Sequence, residues 1–189
     1  MNFYQANLSG FDLSYSHLPA ANLIWADISG ATLAGANLQR SVAIWVQGLW
    51  TDFYRADLWQ ADFSCAKLQA ANLNQANFTQ AKLTGADLTE VSASMACFVE
   101  ADLWGVWALQ ADFSEACLKG ANLSTANLAG AQFVKANMRG AALQGTNLKN
   151  ANLRGADLRN ADLTGANLIG ADLRNTVLWE RYCDRALIA

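Results

Sequence analysis

ACLKG ANLST ANLAG AQFVK ANMRG AALQG TNLKN ANLRG ADLRN ADLTG ANLIG ADLRN, residues 116–175, is twelve consecutive five-residue blocks written to one rule. Each block has a small residue, then mostly Asn or Asp, then a large apolar residue, then two residues that are mostly polar or small. A period of five fits neither a lone helix, which repeats at 3.6, nor a flat strand, which repeats at 2. Self-similarity at a short fixed period marks a solenoid.

Extended outward from this stretch, the frame runs from Ala6 to Glu180 without an insertion or deletion. Of the 35 blocks, 26 begin with Ala, 22 have Asn or Asp second, and 31 have Leu, Phe, Ile or Met third. Twelve of the 13 glycines stand at the fifth position, Gly48 being the exception. Composition alone does not produce such phase-locking, so the repeat is real.

The third residue is the only consistently bulky apolar one and must fill the interior. Alanine at the first position suits an inward site with room for a methyl group. Glycine at the fifth suits a corner that needs unusual dihedrals. Asn or Asp at the second can hydrogen-bond nearby backbone in a turn. Each block is then a short extended piece and a corner, with stacked coils pairing in parallel at about 4.8 Å.

These A(D/N)LXX blocks resemble the pentapeptide-repeat family over nearly the whole chain. The resemblance implies an all-β fold, a right-handed quadrilateral parallel β-helix with four blocks per coil. Recurrences at a spacing of 20 agree: Trp25 with Trp45, Phe78 with Phe98, Cys97 with Cys117, Phe113 with Phe133, and Lys119 with Arg139 and Arg159. About nine coils then make a rod roughly 40 Å long.

The pattern lapses at 41–50, 91–95 and 106–110, where Ala43, Gly48, Ala93 and Ala108 fall at core positions. In the first and third lapses a large residue follows one place late: Ile44, Leu49 and Leu109. Two conformations fit. Either the chain bulges and these residues enter the core, or the coil stays regular and presents them outward.

The terminal segment leaves the pattern. Residues 1–180 read as the repeat domain and 181–189 as a capping segment. Trp179, Tyr182, Cys183 and Ala186 lie at helical spacing, so a short amphipathic helical cap is expected. Phe3 is already in frame, which leaves the first coil with an open edge.

The chemistry of catalysis finds little to work with. His17 is the sole histidine and occupies a second position, so no multi-histidine metal site or hydrolase triad is expected. The glycines, spaced by five, form no known phosphate-binding loop. The four cysteines show no CxxC spacing; Cys97 and Cys117 stack on neighbouring coils as free thiols. No cofactor is expected. With no apolar run near 18 residues and no apolar leader, the expected location is the cytoplasm, without a membrane span.

Charge is uneven along the axis. Residues 1–118 carry 4 basic and 11 acidic groups, whereas residues 119–189 carry 9 basic and 5 acidic groups. Lys119, Arg139 and Arg159 form one predicted outward column and Arg154 and Arg174 another. Stacked like charges suggest counter-ions or an acidic partner.

The outward positions of the first coils are unusually apolar. Tyr4, Ile24 and Ile44 fall in one predicted column and Trp25 and Trp45 in the next. Leu49 and Trp50 follow on the adjoining side, with Tyr54 and Trp59 continuing the trend. Such a concentration is typical of an interaction surface, and tryptophan is enriched at interface hot spots.

Three functions are therefore weighed. The first is a non-enzymatic scaffold for a protein partner, with a homodimer through the N-terminal coils as its simplest form. The second follows the gyrase-protecting branch of the family, in which the rod mimics duplex DNA as a topoisomerase inhibitor. That reading wants acid over most of the rod, and here the C-terminal third is basic. The third, binding of nucleic acid or acidic lipid by the basic end, is the weakest.

Overall fold

The computed structural model describes residues 1–178, and the five-residue frame continues unbroken through all of them. Each second-position residue pairs in parallel with the residue twenty places on, from Asn2 with Asn22 to Asp157 with Val177. Coil 1 is therefore residues 1–20, coil 2 is 21–40, and so on to coil 8 at 141–160. Coil 9 is described over 161–178. The expected cap at 181–189 lies outside the described residues, none of which is helical.

One bonding scheme repeats in every block. The third and fifth N–H groups donate to the second and fourth carbonyls of the next coil, as in Leu23 to Val42 (2.7 Å) and Trp25 to Ile44 (3.1 Å). The second N–H donates to the first carbonyl of the coil before, as in Asn22 to Met1 (2.9 Å). The corner closes when the next block's first N–H donates to the third carbonyl, as in Ala26 to Leu23 (2.9 Å).

That leaves the fourth N–H, and the second-position side chain takes it. Oδ1 of Asn7, Asp27, Asp52 and Asn122 accepts from the N–H two residues on, at 3.0, 2.9, 2.9 and 3.2 Å. The preference for Asn or Asp thus satisfies a backbone donor that the ladder cannot reach.

Every fifth residue has positive φ, the arrangement of a type II turn. Glycine fills twelve of these corners. The others carry side chains at the same geometry, including Trp25 at 58° and Trp45 at 59°. A left-handed residue with a Cβ costs about 1–2 kcal/mol, which the ladder bond at each corner offsets. Glycine is favoured at the corner but not required by it.

Third-position side chains fill the interior and first-position alanines line it, nearly all fully buried. Where Thr replaces Ala, its hydroxyl donates to a core-lining carbonyl 23 residues earlier. Thr51 reaches Ile28 at 2.8 Å and Thr146 reaches Leu123 at 2.9 Å.

The three lapses do not bulge. Ala43, Ala93 and Ala108 are fully buried at third positions, while Ile44, Leu49 and Leu109 stay outward and half-buried. Neighbours fill the vacated volume. A Cβ on Gly48 would lie 2.8 Å from Leu68 Cδ2 and 3.3 Å from Ile28 Cγ1, the side chains one coil above and one coil below. Phe63 and Phe113 stand one coil above Ala43 and Ala93. Phe53, Phe63, Phe78, Phe98, Phe113 and Phe133 form a continuous buried chain, with centroid separations of 5.1–6.2 Å. Small and large residues compensate between coils, so the backbone keeps its register.

Candidate functional site: an aromatic ridge and a basic end

The strict register turns residues twenty apart into stacked neighbours. Trp25 and Trp45, at one corner of coils 2 and 3, have ring centroids 5.4 Å apart and planes inclined by 7°. They are 50% and 41% exposed, beside Tyr4 at 51%. Ile24 and Ile44 lie half-buried in the column with Tyr4. The register sets these five residues in two adjoining columns, in which Trp25 and Trp45 stack on one another.

Leu49 and Trp50 belong to the following corner of coil 3. Trp50 is 69% exposed, Leu49 is half-buried, and Gln47 lies between this corner and Trp45. In coil 3, Trp45 of the ridge and Trp50 therefore flank one side of the rod. Tyr54 and Trp59 do not extend the exposed surface. Arg55 lies 5.0 Å from the Tyr54 ring and Arg40 lies 4.7 Å from that of Trp59, each covering an aromatic face.

Four exposed aromatics are not among the residues that the sequence singles out: Phe11 and Tyr15 in coil 1, and Trp104 and Trp107 in coil 6. Trp104 stands in the column of Tyr4, Ile24 and Ile44, three coils above Ile44, and Trp107 lies across the same corner. The spacing carries the signal: 104 and 107 differ from 24 and 27 by four coil lengths. The second cluster lies about 14 Å further along the rod at the coil spacing.

At the basic end, the stacked arginines have their counter-ions within the repeat. Arg159 forks onto Asp157 at 2.8 and 2.5 Å, and Arg174 onto Asp172 at 2.9 and 2.6 Å. Arg139 and Arg154, from the coils before, also act electrostatically on Asp157 and Asp172. Each carboxylate thus answers two arginines, and the patch is less positive than its arginine count. Lys119, Arg139 and Arg154 form no ion pair among the described residues. A depression of about 340 Å³ is lined by Val134, Lys135, Arg154, Gly155 and Asn175.

The Arg174 fork and the Arg174 N–H hold the Asp172 carboxyl at about 2, below its ordinary value of 3.8. A depressed folded-state value contributes stability above the unfolded value, and that contribution fades as pH falls from about 4 through about 2. Arg174→Ala should return Asp172 toward the ordinary carboxylate range. Carboxyl titration followed by NMR checks this; an unmoved midpoint would contradict the pairing.

His17 is exposed at a second position and paired through its backbone with Asn37. Among the described residues, no three His, Cys, Asp or Glu side chains converge as a metal site. No described helix is long and apolar enough to cross a membrane.

A four-sided solenoid of five-residue blocks defines the chain as a repeat protein. The pentapeptide repeats model matches it in eight copies, at residues 2–42, 50–80, 66–105, 110–145 and 141–179, so the chain belongs to the pentapeptide-repeat family. The family adopts the right-handed quadrilateral β-helix. Similar solved structures include HetL, a pentapeptide repeat protein involved in heterocyst differentiation regulation from the cyanobacterium Nostoc. It is 31% identical, covering 94% of this chain and 86% of HetL, with a TM-score of 0.38. A trypsin-treated variant of QnrB1, a plasmid-mediated fluoroquinolone resistance protein, is 19% identical over 92% of this chain and 91% of its own, with a TM-score of 0.61. An Arabidopsis thaliana protein of the thylakoid lumen is 32% identical over 69% of this chain and 63% of its own, with a TM-score of 0.27. No curated protein matches the chain.

Proposed function

We propose that this chain is a non-enzymatic scaffold that docks a protein partner on the aromatic ridge of coils 1–3. The observation that carries the reading is the exposed, stacked Trp25–Trp45 pair, beside Tyr4 and flanked by Trp50. Large aromatics at neighbouring outward sites make an apolar surface of the kind that marks an interface. A second copy of the chain, meeting the first through the N-terminal coils, is the simplest occupant.

The likeness to QnrB1 is one of fold. A DNA-mimicking topoisomerase inhibitor would carry acid along most of the rod, yet residues 119–189 hold 9 basic and 5 acidic groups. A cytoplasmic location belongs to the proposed reading. It is consistent with the free thiols of Cys65, Cys97 and Cys117, which a reducing compartment maintains.

The test is sedimentation over a concentration series, with affinity capture from native lysate in parallel. Wild type should self-associate or retain a specific partner, and Trp25→Ser, Trp45→Ser should weaken that association at least tenfold. A wild type that remains monomeric, and whose captured proteins do not change when both tryptophans are removed, overturns the proposal. Inhibition of gyrase supercoiling by the purified protein would favour the DNA-mimic reading instead.

A further inference from the structure

The second position normally holds Asn or Asp, but in coils 5 and 6 it holds Cys97 and Cys117, paired directly across the two coils. Both are free thiols, half-buried at the rod surface. Parallel pairing sets their backbones about 4.8 Å apart and points the two Cβ atoms the same way. With matching χ1 rotamers the sulfurs then stand about one coil spacing apart. A disulfide needs its Cβ atoms at about 3.5–4.5 Å and its sulfurs at about 2.05 Å, which would pinch the coils together. A single atom between the sulfurs spans at most about 4.6 Å, twice the Zn–thiolate bond of about 2.3 Å, because bonds at a two-coordinate atom are shorter still. The coil spacing of about 4.8 Å is close enough to that span for side-chain torsion to close the difference without moving the backbone.

We propose that Cys97 and Cys117 form a two-coordinate site for a soft monovalent cation, of which Cu(I) is the biological representative. Thiolate pairs suit Cu(I) by softness. Structural zinc requires four ligands, and among the described residues no third His, Cys, Asp or Glu converges on the pair. Each sulfur has one polar neighbour, from the coil beyond the pair: Thr79 Oγ1 lies 3.2 Å from Cys97 Sγ, and Asn137 Nδ2 donates to Cys117 Sγ at 4.0 Å.

Between Asp87 and Glu115 the chain carries six acids and no base. Glu100 and Glu115 occupy the corners on either side of this face, and Lys119, two residues from Cys117, shares the face with it. On binding, each thiol releases its proton to solvent and forms one S–Cu bond, and copper stays in the +1 state. The bridge would tie together two coils that each have an alanine in the core, Ala93 and Ala108.

The probe is Cu(I) presented as its bicinchoninate complex under anaerobic conditions. Wild type should withdraw one equivalent, with X-ray absorption reporting two sulfur neighbours, and its melting temperature should rise. Cys97→Ser and Cys117→Ser should each bind at least about 100-fold more weakly and lose the melting shift, because one thiolate replaces two. The double variant Cys65→Ser, Cys183→Ser, which keeps only this pair, should behave as wild type. Failure of that double variant to bind, undiminished binding by Cys97→Ser, or copper held only between two molecules would each overturn the site.

Discussion

Leu123→Asp should lower the melting temperature by about 10 °C or more, whereas Ser124→Asp, one residue away, should change it by no more than a degree or two. Leu123 is fully buried at a third position in coil 7. Leu103 and Leu143 occupy the same place in the coils below and above, so a carboxylate there has no water and no cation to answer it. A buried unpaired charge belongs to the mutations that cost about 4 kcal/mol or more, and in a domain of this size 1 kcal/mol corresponds to about 2–4 °C. Ser124 points outward and donates its hydroxyl to Gln144 Oε1 at 2.8 Å; an Asp there loses that one surface bond but keeps its charge in water. Since each coil is held by its neighbours, the Leu123 variant should also split the thermal transition, with coils 7–9 unfolding first. Leu148→Asp, in the same setting in coil 8, should behave alike. Equal melting of the inward and outward variants, by circular dichroism, would show that inside and outside are misassigned.

The fold was legible because each position in the block has a single backbone environment. Once the frame is found, Leu123 must be inside and Ser124 outside. A spacing of 20 is enough to put Trp25 on Trp45 and Cys97 on Cys117. What the period does not encode is how outward side chains fold over one another. Arg40 and Arg55 look like free charges in the sequence, yet they cover Trp59 and Tyr54 and shrink the apolar surface. The arginines of the basic end look mutually repulsive, yet Asp157 and Asp172 stand two residues before Arg159 and Arg174 and fork onto them. In an extended strand residues two apart share a face, so the motif DLR spells that pairing. Steps of twenty, which align the columns, pass over it.

The lapses of pattern show a different limit. Judged within their own blocks, Ala43, Gly48, Ala93 and Ala108 leave holes, and a bulge that swings the next large residue inward is a reasonable remedy. The solenoid instead packs along its axis as well as across it. Gly48 is filled by Leu68 and Ile28 from adjacent coils, and Phe63 stands over Ala43. With the outward side chains left in place, Ile44 remains beside Trp45 and contributes to the ridge. The compensation that keeps the core dense is therefore also what presents the candidate binding surface.

Phe113→Ala should be about 3–5 kcal/mol less stable than wild type, the second large effect, and Ala93→Phe introduced with it should recover part of that loss. Phe113 is fully buried, stacked on Phe133 at 5.3 Å and edge-on to Phe98 at 5.7 Å, one coil above Ala93. Truncating it leaves a cavity beside a site that already has only a methyl group, so two neighbouring coils lack volume in the same column. Ala93→Phe alone should destabilise by about 1–3 kcal/mol, because the space it needs is taken by Phe113 and Phe98. Combined, the two changes exchange a large and a small residue between coils 5 and 6 and conserve core volume. The double variant should accordingly be more stable than the sum of the single losses by about 1 kcal/mol or more, an interaction that denaturant unfolding of the four proteins resolves. Strict additivity would mean that the two side chains do not share one volume, and the axial compensation that keeps the lapsed coils regular would have to be abandoned.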